Sequence, residues 1–329
     1  GCAFYHRCPQ SSKECQYQRP ELKYTGIERK VACNKGGIET FLKAKNLNKT
    51  FKLQNGKKIQ AVKDVNLKIR SGEVVGLVGQ SGSGKSSVAQ MLVNVLTPDS
   101  GQVKFRGDKV KKNWATKKIG GMQIVFQDPF SATSDRLSVL EVTREPLDII
   151  KWKGAAARKK RAIEELKKVQ LPVTSNFLNR ACKDLSGGQR QRVAIARSLI
   201  MNPELLIADE ITSMLAPSIQ ANIIRQLEEL QHNDGFSMLY ITHNFNLAKK
   251  ISDKIYVIKQ GKIVEKGISF DLYHKPKNNY TKKLILDIRT GSDISNKLLN
   301  FLHNKQIQLE SLFFKNITIL SKGLMTYLG

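Results

Sequence analysis

The chain contains no run of 18 or more apolar residues, which excludes a membrane-spanning helix. It also lacks the charged-then-apolar start of a secretory signal. It does not open on Met, so a fragment, a processed product or a trimmed chain is expected. Cysteine is almost absent from the body: beyond residue 33 only Cys182 occurs, and no C-x-x-C pair stands anywhere. That argues against a disulfide scaffold. Acid is scarce too. Against 55 lysines and arginines there are 28 aspartates and glutamates, a formal net charge of +27. Three readings compete for this excess: a nucleic-acid partner, an anionic membrane surface, or lysines scattered over the surface by compositional bias. Small clusters at 109–112, 117–118 and 158–161, with Asn and Ile abundant beside Lys, favour the last. No recognition-helix, zinc-finger or RNA-binding signature supports the first. Apolar residues make up 40% of the 329 positions, enough for the core of one large domain or two average ones.

What is present is organised around one loop. Gly79, Gln80, Ser81, Gly82, Ser83, Gly84, Lys85 and Ser86 match G-x-x-x-x-G-K-[ST] at every fixed position. Before it, the apolar, β-branched run 73–78 predicts a buried strand. After it, the run from Ser87 to Asn94 has helical spacing. Strand, glycine turn and helix together are the context in which this motif cradles phosphates; a bare Gly/Ser loop lacks both flanks. The glycines let backbone N–H groups point inward where a Cβ would crowd a phosphate. The helix start adds its positive dipole end. Lys85 reaches the β- and γ-phosphates, and Ser86 offers a hydroxyl to Mg²⁺.

Further along, residues 205–210 read as an apolar strand ending in Asp209 and Glu210. In a phosphate-loop protein this is the place for a Mg²⁺-coordinating aspartate, followed by a carboxylate able to polarise water. Residues 185–191 read Leu-Ser-Gly-Gly-Gln-Arg-Gln, followed by a helical run to Ile200. Ser186, Gly187 and Gly188 make a second anion-ready helix start. One nucleotide has no need of two such starts in the same chain, whereas a head-to-tail dimer does.

Leu-Ser-Gly-Gly-Gln, after a phosphate loop and before an apolar-Asp-Glu strand, resembles the ABC ATPases over about residues 38–285. The resemblance implies an α/β phosphate-loop NTPase core with a mixed sheet, an antiparallel β subdomain and an inserted helical subdomain at about 128–184. It implies that Phe51 stacks on adenine and that 79–87 together with Gln127 and Asp209 bind nucleotide. Ser86 and Gln127 would hold Mg²⁺, and Glu210 and His243 would be catalytic. Ser186, Gly187, Gly188 and Gln189 would act on the nucleotide of a partner chain. Taken singly, Phe51 also reads as a core aromatic and Gln127 as an ordinary strand-end polar residue. His243 follows the apolar run 238–241, at the carboxyl edge of the sheet where α/β ligands bind.

Phe126-Gln-Asp-Pro-Phe-Ser131, Val142-Thr-Arg-Glu-Pro-Leu147 and Gly261-Lys-Ile-Val-Glu-Lys-Gly267 are similar to the oligopeptide and dipeptide importer branch. That branch implies the second-type ATPase subunit of an oligopeptide importer. Its cofactors would be ATP and Mg²⁺. Its partners would be a second ABC ATPase, two transmembrane permease subunits and an extracellular peptide-binding protein. It would be peripheral, on the cytoplasmic face of the cell membrane. Two rival readings stand beside it: a soluble ABC ATPase acting on nucleic acid, and a nucleotide-binding regulatory subunit with impaired hydrolysis.

Residues 1–37 resemble the C-terminal tail of a sister ATPase, so the expectation is a chain cut from a tandem polypeptide. Cys2, Cys8, Cys15 and Cys33 in that segment are candidate ligands for a [4Fe–4S] cluster or zinc, with four unligated thiols as the alternative. The chain departs from the family at Ile211, where Pro is usual, and at Ala216, where the family places an aspartate that joins the two ATP sites. It departs again at Asn278-Asn279, where His-Pro is usual. Ala216 beside an intact Glu210 predicts unequal hydrolysis at the two sites of a heterodimer. The segment 286–329 is apolar-rich, with Leu298–Leu302 and Leu312–Phe314 in partly helical spacing. It reads as a docking helix, a membrane-surface helix or a poorly ordered tail.

Overall fold

The computed structural model describes residues 1–286, apart from 4, 7, 9–10, 25–29, 34–39, 54–55, 112–116 and 214. The expected domain start near Ile38 and the apolar segment after 286 therefore lie outside the described residues. The chain forms two compact units, Gly1–Asn278 and Asn279–Gly329. In the second, residues 279–286 are helical.

The first unit opens with a short helix, α1 (Lys13–Tyr17), and an antiparallel pair, β1 (Leu22–Tyr24) and β2 (Lys30–Ala32). Two long strands follow, β3 (Thr40–Lys52) and β4 (Lys58–Arg70), then β5 (Val74–Val78) and α2 (Lys85–Leu92). Next come β6 (Ser100–Phe105), β7 (Asp108–Lys109) and β8 (Met122–Val125). The stretch 128–184 is helical: α3 (Pro129–Ala132), α4 (Val139–Ile149), α5 (Ala155–Lys168), α6 (Ser175–Leu178) and a 3-10 turn at Cys182–Asp184. The chain then alternates through α7 (Gly187–Leu199), β9 (Leu205–Asp209), α8 (Pro217–Asp234), β10 (Ser237–Thr242) and α9 (Phe245–Ile251). It closes with β11 (Lys254–Lys259), β12 (Lys262–Ile268) and α10 (Ser269–His274).

Two sheets result. One is mixed, in the order β12-β11-β5-β10-β9-β8, with only the β11–β12 pair antiparallel. The other is antiparallel, in the order β4-β3-β6-β7. Their sequences differ as burial requires. Strands β5, β9 and β10 are buried along their whole length, so they read as continuous apolar runs. Strand β4 is wetted on one face, and Val65, Leu67 and Ile69 alternate with exposed Asn66, Lys68 and Arg70.

The period of two along the central strands divides them between two cores. Val74, Leu206, Ala208, Met238 and Tyr240 enter the core shared with α4, α7 and α8. Val75, Leu77, Leu205, Ile207, Leu239 and Ile241 enter the core shared with α2 and the antiparallel sheet. The mixed sheet is thus the wall between the cores. The carboxyl ends of its parallel strands, where α/β ligands bind, are where the loops of interest emerge.

Candidate nucleotide site

The loop between β5 and α2 is held from behind. The Ser83 N–H donates to the Gln80 carbonyl at 3.2 Å, and the Gly261 N–H donates to the Ser83 carbonyl at 2.9 Å. Gly84 has φ +101°, and a Cβ there would stand 2.3 Å from the Ala61 carbonyl oxygen. A Cβ on Gly79 would stand 2.3 Å from the Ile258 carbonyl oxygen. Any side chain at either position would force the loop off the strands that carry it. The glycines are therefore required by the protein wall as well as by a phosphate.

Lys85 is buried, and its ammonium has three donors. They reach the Gly79 carbonyl at 2.8 Å, the Gln80 carbonyl at 2.9 Å and Glu210 Oε1 at 3.1 Å. Glu210 has φ +47°, and its N–H is fixed to the Ile241 carbonyl at 3.0 Å. The second Glu210 oxygen lies 3.4 Å from Nδ1 of exposed His243. Gln127 Nε2 donates to Ser213 Oγ at 3.2 Å, and that hydroxyl donates to the Glu210 carbonyl at 2.9 Å. Lys85, Glu210, His243, Ser213 and Gln127 thus form one connected polar chain around the carboxyl ends of β5, β9 and β10.

Asp209 lies beside it, buried. Burial pushes its carboxyl above the ordinary aspartate range, and the Glu210 charge adds to that; the Ser86 hydroxyl bond and the Lys85 charge pull it back. Its Oδ1 is buried without a hydrogen-bond partner, as is Ser83 Oγ in the loop. Buried polar atoms in that state are costly unless something completes them. An orphaned carboxylate oxygen next to a hydroxyl bound to its other half is a donor set that fits Mg²⁺ at Asp209 and Ser86. Phe51 stands 37% exposed near the end of β3, with Lys49 Nζ 6.0 Å from its ring centre. It is an open aromatic face and is not in the core. Gln80, Ser81 and Gly82 are exposed, and Ser86 and Ser87 are half-buried in the first turn of α2.

Ser186 to Gln189 are built differently. Ser186 is exposed and caps α7, accepting from the Gln189 N–H at 3.3 Å, while the Gln189 side chain accepts from the Ser186 N–H at 3.1 Å. A Cβ on Gly188 would meet Ile219 at 3.1 Å. Behind the cap sits Arg190, 2% exposed. Its guanidinium donates to Thr133 Oγ1 at 2.6 Å, to the Thr133 carbonyl at 2.8 Å, and to Asp135, and lies 4.3 Å from the Phe130 ring centre. The segment after Gln127 is thereby fastened to the first turn of α7. Sequence reasoning missed Arg190 and Ser213. The adjacency of Arg190 to the Ser-Gly-Gly-Gln run was the one signal for it, and its partners lie more than fifty residues upstream.

The departures from the family have physical counterparts. Ile211 is buried in the helical-side core. Ala216 is the N-cap of α8 and offers no side-chain cap bond, leaving Pro217 to start the helix.

The structure gives the cysteine cluster no support. Among the described residues no group of three or more His, Cys, Asp or Glu side chains is placed to hold a metal. Cys2 and Cys15 are linked through the backbone, N–H to carbonyl at 2.7 Å, and the Cys15 sulfur faces Ser12 Oγ at 3.5 Å. Cys182 is buried in the core, and burial pushes its thiol up to about 11.

Comparison with known proteins agrees with this geometry. The ABC transporter family matches residues 62–213. The oligopeptide transport ATP-binding protein OppF of Streptococcus mutans is 36% identical over 251 residues, 74% of this chain and 80% of that protein. OppF of Bacillus subtilis is 37% identical, over 75% of this chain and 82% of that protein. Among solved structures, the dimeric ATP-binding cassette MJ0796 bound to ADP and Pi is 33% identical with a TM-score of 0.61, covering 69% of this chain and 98% of that one. CbiO1 of Clostridium perfringens, part of the ABC transporter complex CbiONQ, has a TM-score of 0.62 at 26% identity, covering 82% of this chain and all of that one. The chain is an ATPase of the ABC transporter family and belongs to its peptide-importer branch.

Proposed function

We propose that this chain is the ATP-hydrolysing subunit that drives oligopeptide import. The observation that carries the reading is the Lys85–Glu210 ion pair beside a loop whose Gly79 and Gly84 admit no side chain. A phosphate entering the cradle competes with Glu210 for the Lys85 ammonium. Lys85 then turns from carboxylate to phosphate, and Glu210 is released to polarise an attacking water. Mg²⁺, when bound, would neutralise charge on the phosphates, and Ser86 and Asp209, with Gln127, are the residues that would hold it. His243, next to Glu210, contacts the γ-phosphate. Gln127 joins this centre to the helical stretch 128–184 through Ser213 at one end and the Arg190 fastening at the other. That stretch receives the membrane subunits.

Ser186 to Gln189 serve the nucleotide of a second ATPase chain, so hydrolysis needs an assembled pair. The remaining partners are two permease subunits and an external peptide-binding protein. No described helix is long and apolar enough to cross a membrane, and we place the chain on the cytoplasmic face by association with those permeases. Reconstitution in liposomes tests the whole reading. Phosphate release should rise when peptide-loaded binding protein is supplied on the outside. Turnover indifferent to peptide would reject oligopeptide import, and MgATP binding without turnover in the complete assembly would favour a regulatory subunit.

A further inference from the structure

A row of lysines crosses the antiparallel sheet on the face turned away from the core. The strand register sets Lys68 of β4 opposite Lys43 of β3, Lys43 opposite Lys104 of β6, and Lys104 opposite Lys109 of β7. With neighbouring strands about 4.8 Å apart, the row is about 14 Å long. Leu42, Ala44, Leu67, Val103 and Phe105 take the buried face, which leaves the lysines on the wet one. Like charges directly opposite each other weaken a sheet. Lys43 registers the crowding, its ammonium held below the usual lysine value first by Lys45, then by Lys68, burial and Lys104.

At its Lys43–Lys68 end the row opens into a pocket of about 590 Å³ between this sheet and β11–β12. Lys43, Lys45, Lys68, Arg70, Lys254 and Lys266 line it, and Glu73 is the sole carboxylate among the described lining residues. Glu73 is already occupied, accepting the Arg70 backbone N–H at 2.8 Å. Tyr256, 2% exposed, gives the pocket a fixed wall: its hydroxyl accepts the Lys68 N–H at 3.3 Å, and Lys254 Nζ stands 5.0 Å from its ring centre. Clefts lined by one sign of charge concentrate ions of the other sign. No residue of the Gly79–Ser86 loop lines this cleft. Along β3, Phe51 is roughly 26 Å from Lys43 at an extended rise.

We propose that this pocket is an anion site for a small ligand carrying two or more phosphate groups, separate from the nucleotide cradle. Six cations lining a concavity of this size suit a compact ligand with more than one phosphate. The site would sense a polyphosphorylated small molecule on the same chain that binds ATP.

Calorimetric titration with inorganic tripolyphosphate tests this, with the nucleotide site saturated by MgADP and free Mg²⁺ held constant. The wild-type chain should bind, and K43Q/K68Q/K104Q should bind at least ten-fold more weakly. MgADP affinity should be unchanged, and the ligand-free variant should melt at or above the wild type, because mutual repulsion is removed. K159Q/K160Q/K167Q on α5, which removes the same charge elsewhere, should bind like the wild type. No binding by the wild type, equal affinities, or equal weakening in the α5 variant would overturn the proposal. So would a result in which phosphatidylglycerol vesicles or single-stranded RNA, and not tripolyphosphate, lose binding in the K43Q/K68Q/K104Q variant.

Discussion

The two glycine-rich helix starts of this chain do opposite things with their backbone. At α2 the loop is locked: Gly79 and Gly84 press against neighbouring carbonyls, and Lys85 has every donor engaged within its own chain. At α7 Ser186 is exposed and the glycines and Gln189 are half-buried, and Ser186 and Gln189 bond each other. Its firmness comes from behind, through Arg190. On the proposed function, one start is organised around a ligand held by this chain. The other is organised as a face presented outward, with its register set by the segment that follows Gln127. The difference teaches that the first half of the site is specified by backbone packing against β4 and β11, and the second by a single buried side-chain anchor.

The largest effect expected from breaking this contrast is at the first half. Glu210→Gln should lower phosphate release by the assembled complex by about 10²–10⁴-fold, the usual worth of a general base. MgATP binding, read by equilibrium dialysis, should persist, since Lys85 keeps its carbonyl partners. Loss of binding together with turnover would make Glu210 a structural residue. At the second half, Arg190→Ala removes several hydrogen bonds to a buried charge and should cost about 1.5–3 kcal/mol in denaturant unfolding. It should depress turnover of the assembly while leaving MgATP affinity of the isolated chain within two-fold. Arg190→Lys should fail to rescue turnover, because a lysine cannot reproduce the planar fork. If MgATP affinity falls in step with turnover, the two halves are not independently built.

A smaller effect is expected at the start of α8. Ala216→Asp supplies the missing N-cap and should raise stability by about 1 kcal/mol. If the same change also raises turnover of the assembly, Ala216 is the cause of unequal sites. The smallest effect concerns Cys182. Burial favours its neutral thiol in the fold, so its folded pKa lies above the unfolded one. Its contribution to stability is full below the ordinary thiol value and is lost as the pH rises towards about 11. At pH 8 only about one molecule in a thousand carries the thiolate, so alkylation followed by mass spectrometry should leave Cys182 unmodified in the native chain.

Legibility in the sequence followed the same division. The strand expected at 73–78 forms at Val74–Val78, the one expected at 205–210 at Leu205–Asp209, and the one at 238–241 at Ser237–Thr242. Continuous burial made these runs unambiguous. The glycines were readable because a positive φ or a close approach permits nothing else. Arg190 was not readable as an anchor, because nothing local says that Thr133 and Asp135 fold back onto it. The lysine row was equally hidden. Adjacent-residue clusters show in a sequence, but Lys43, Lys68, Lys104 and Lys109 become neighbours only through strand register. Spacing alone left the N-terminal cysteines open between a metal centre and plain thiols, and among the described residues no group of three or more His, Cys, Asp or Glu side chains is placed to hold a metal.

The central claim is that Ser186 acts on a nucleotide held by another chain. It is tested most directly by Ser186→Arg, with MgATP affinity measured on the isolated chain and turnover on the assembled complex. The account predicts unchanged affinity in the isolated chain and a fall in turnover of about a hundred-fold or more, as when a preorganised transition-state contact is removed. Affinity that collapses in the isolated chain, or turnover that does not change in the complex, would contradict it.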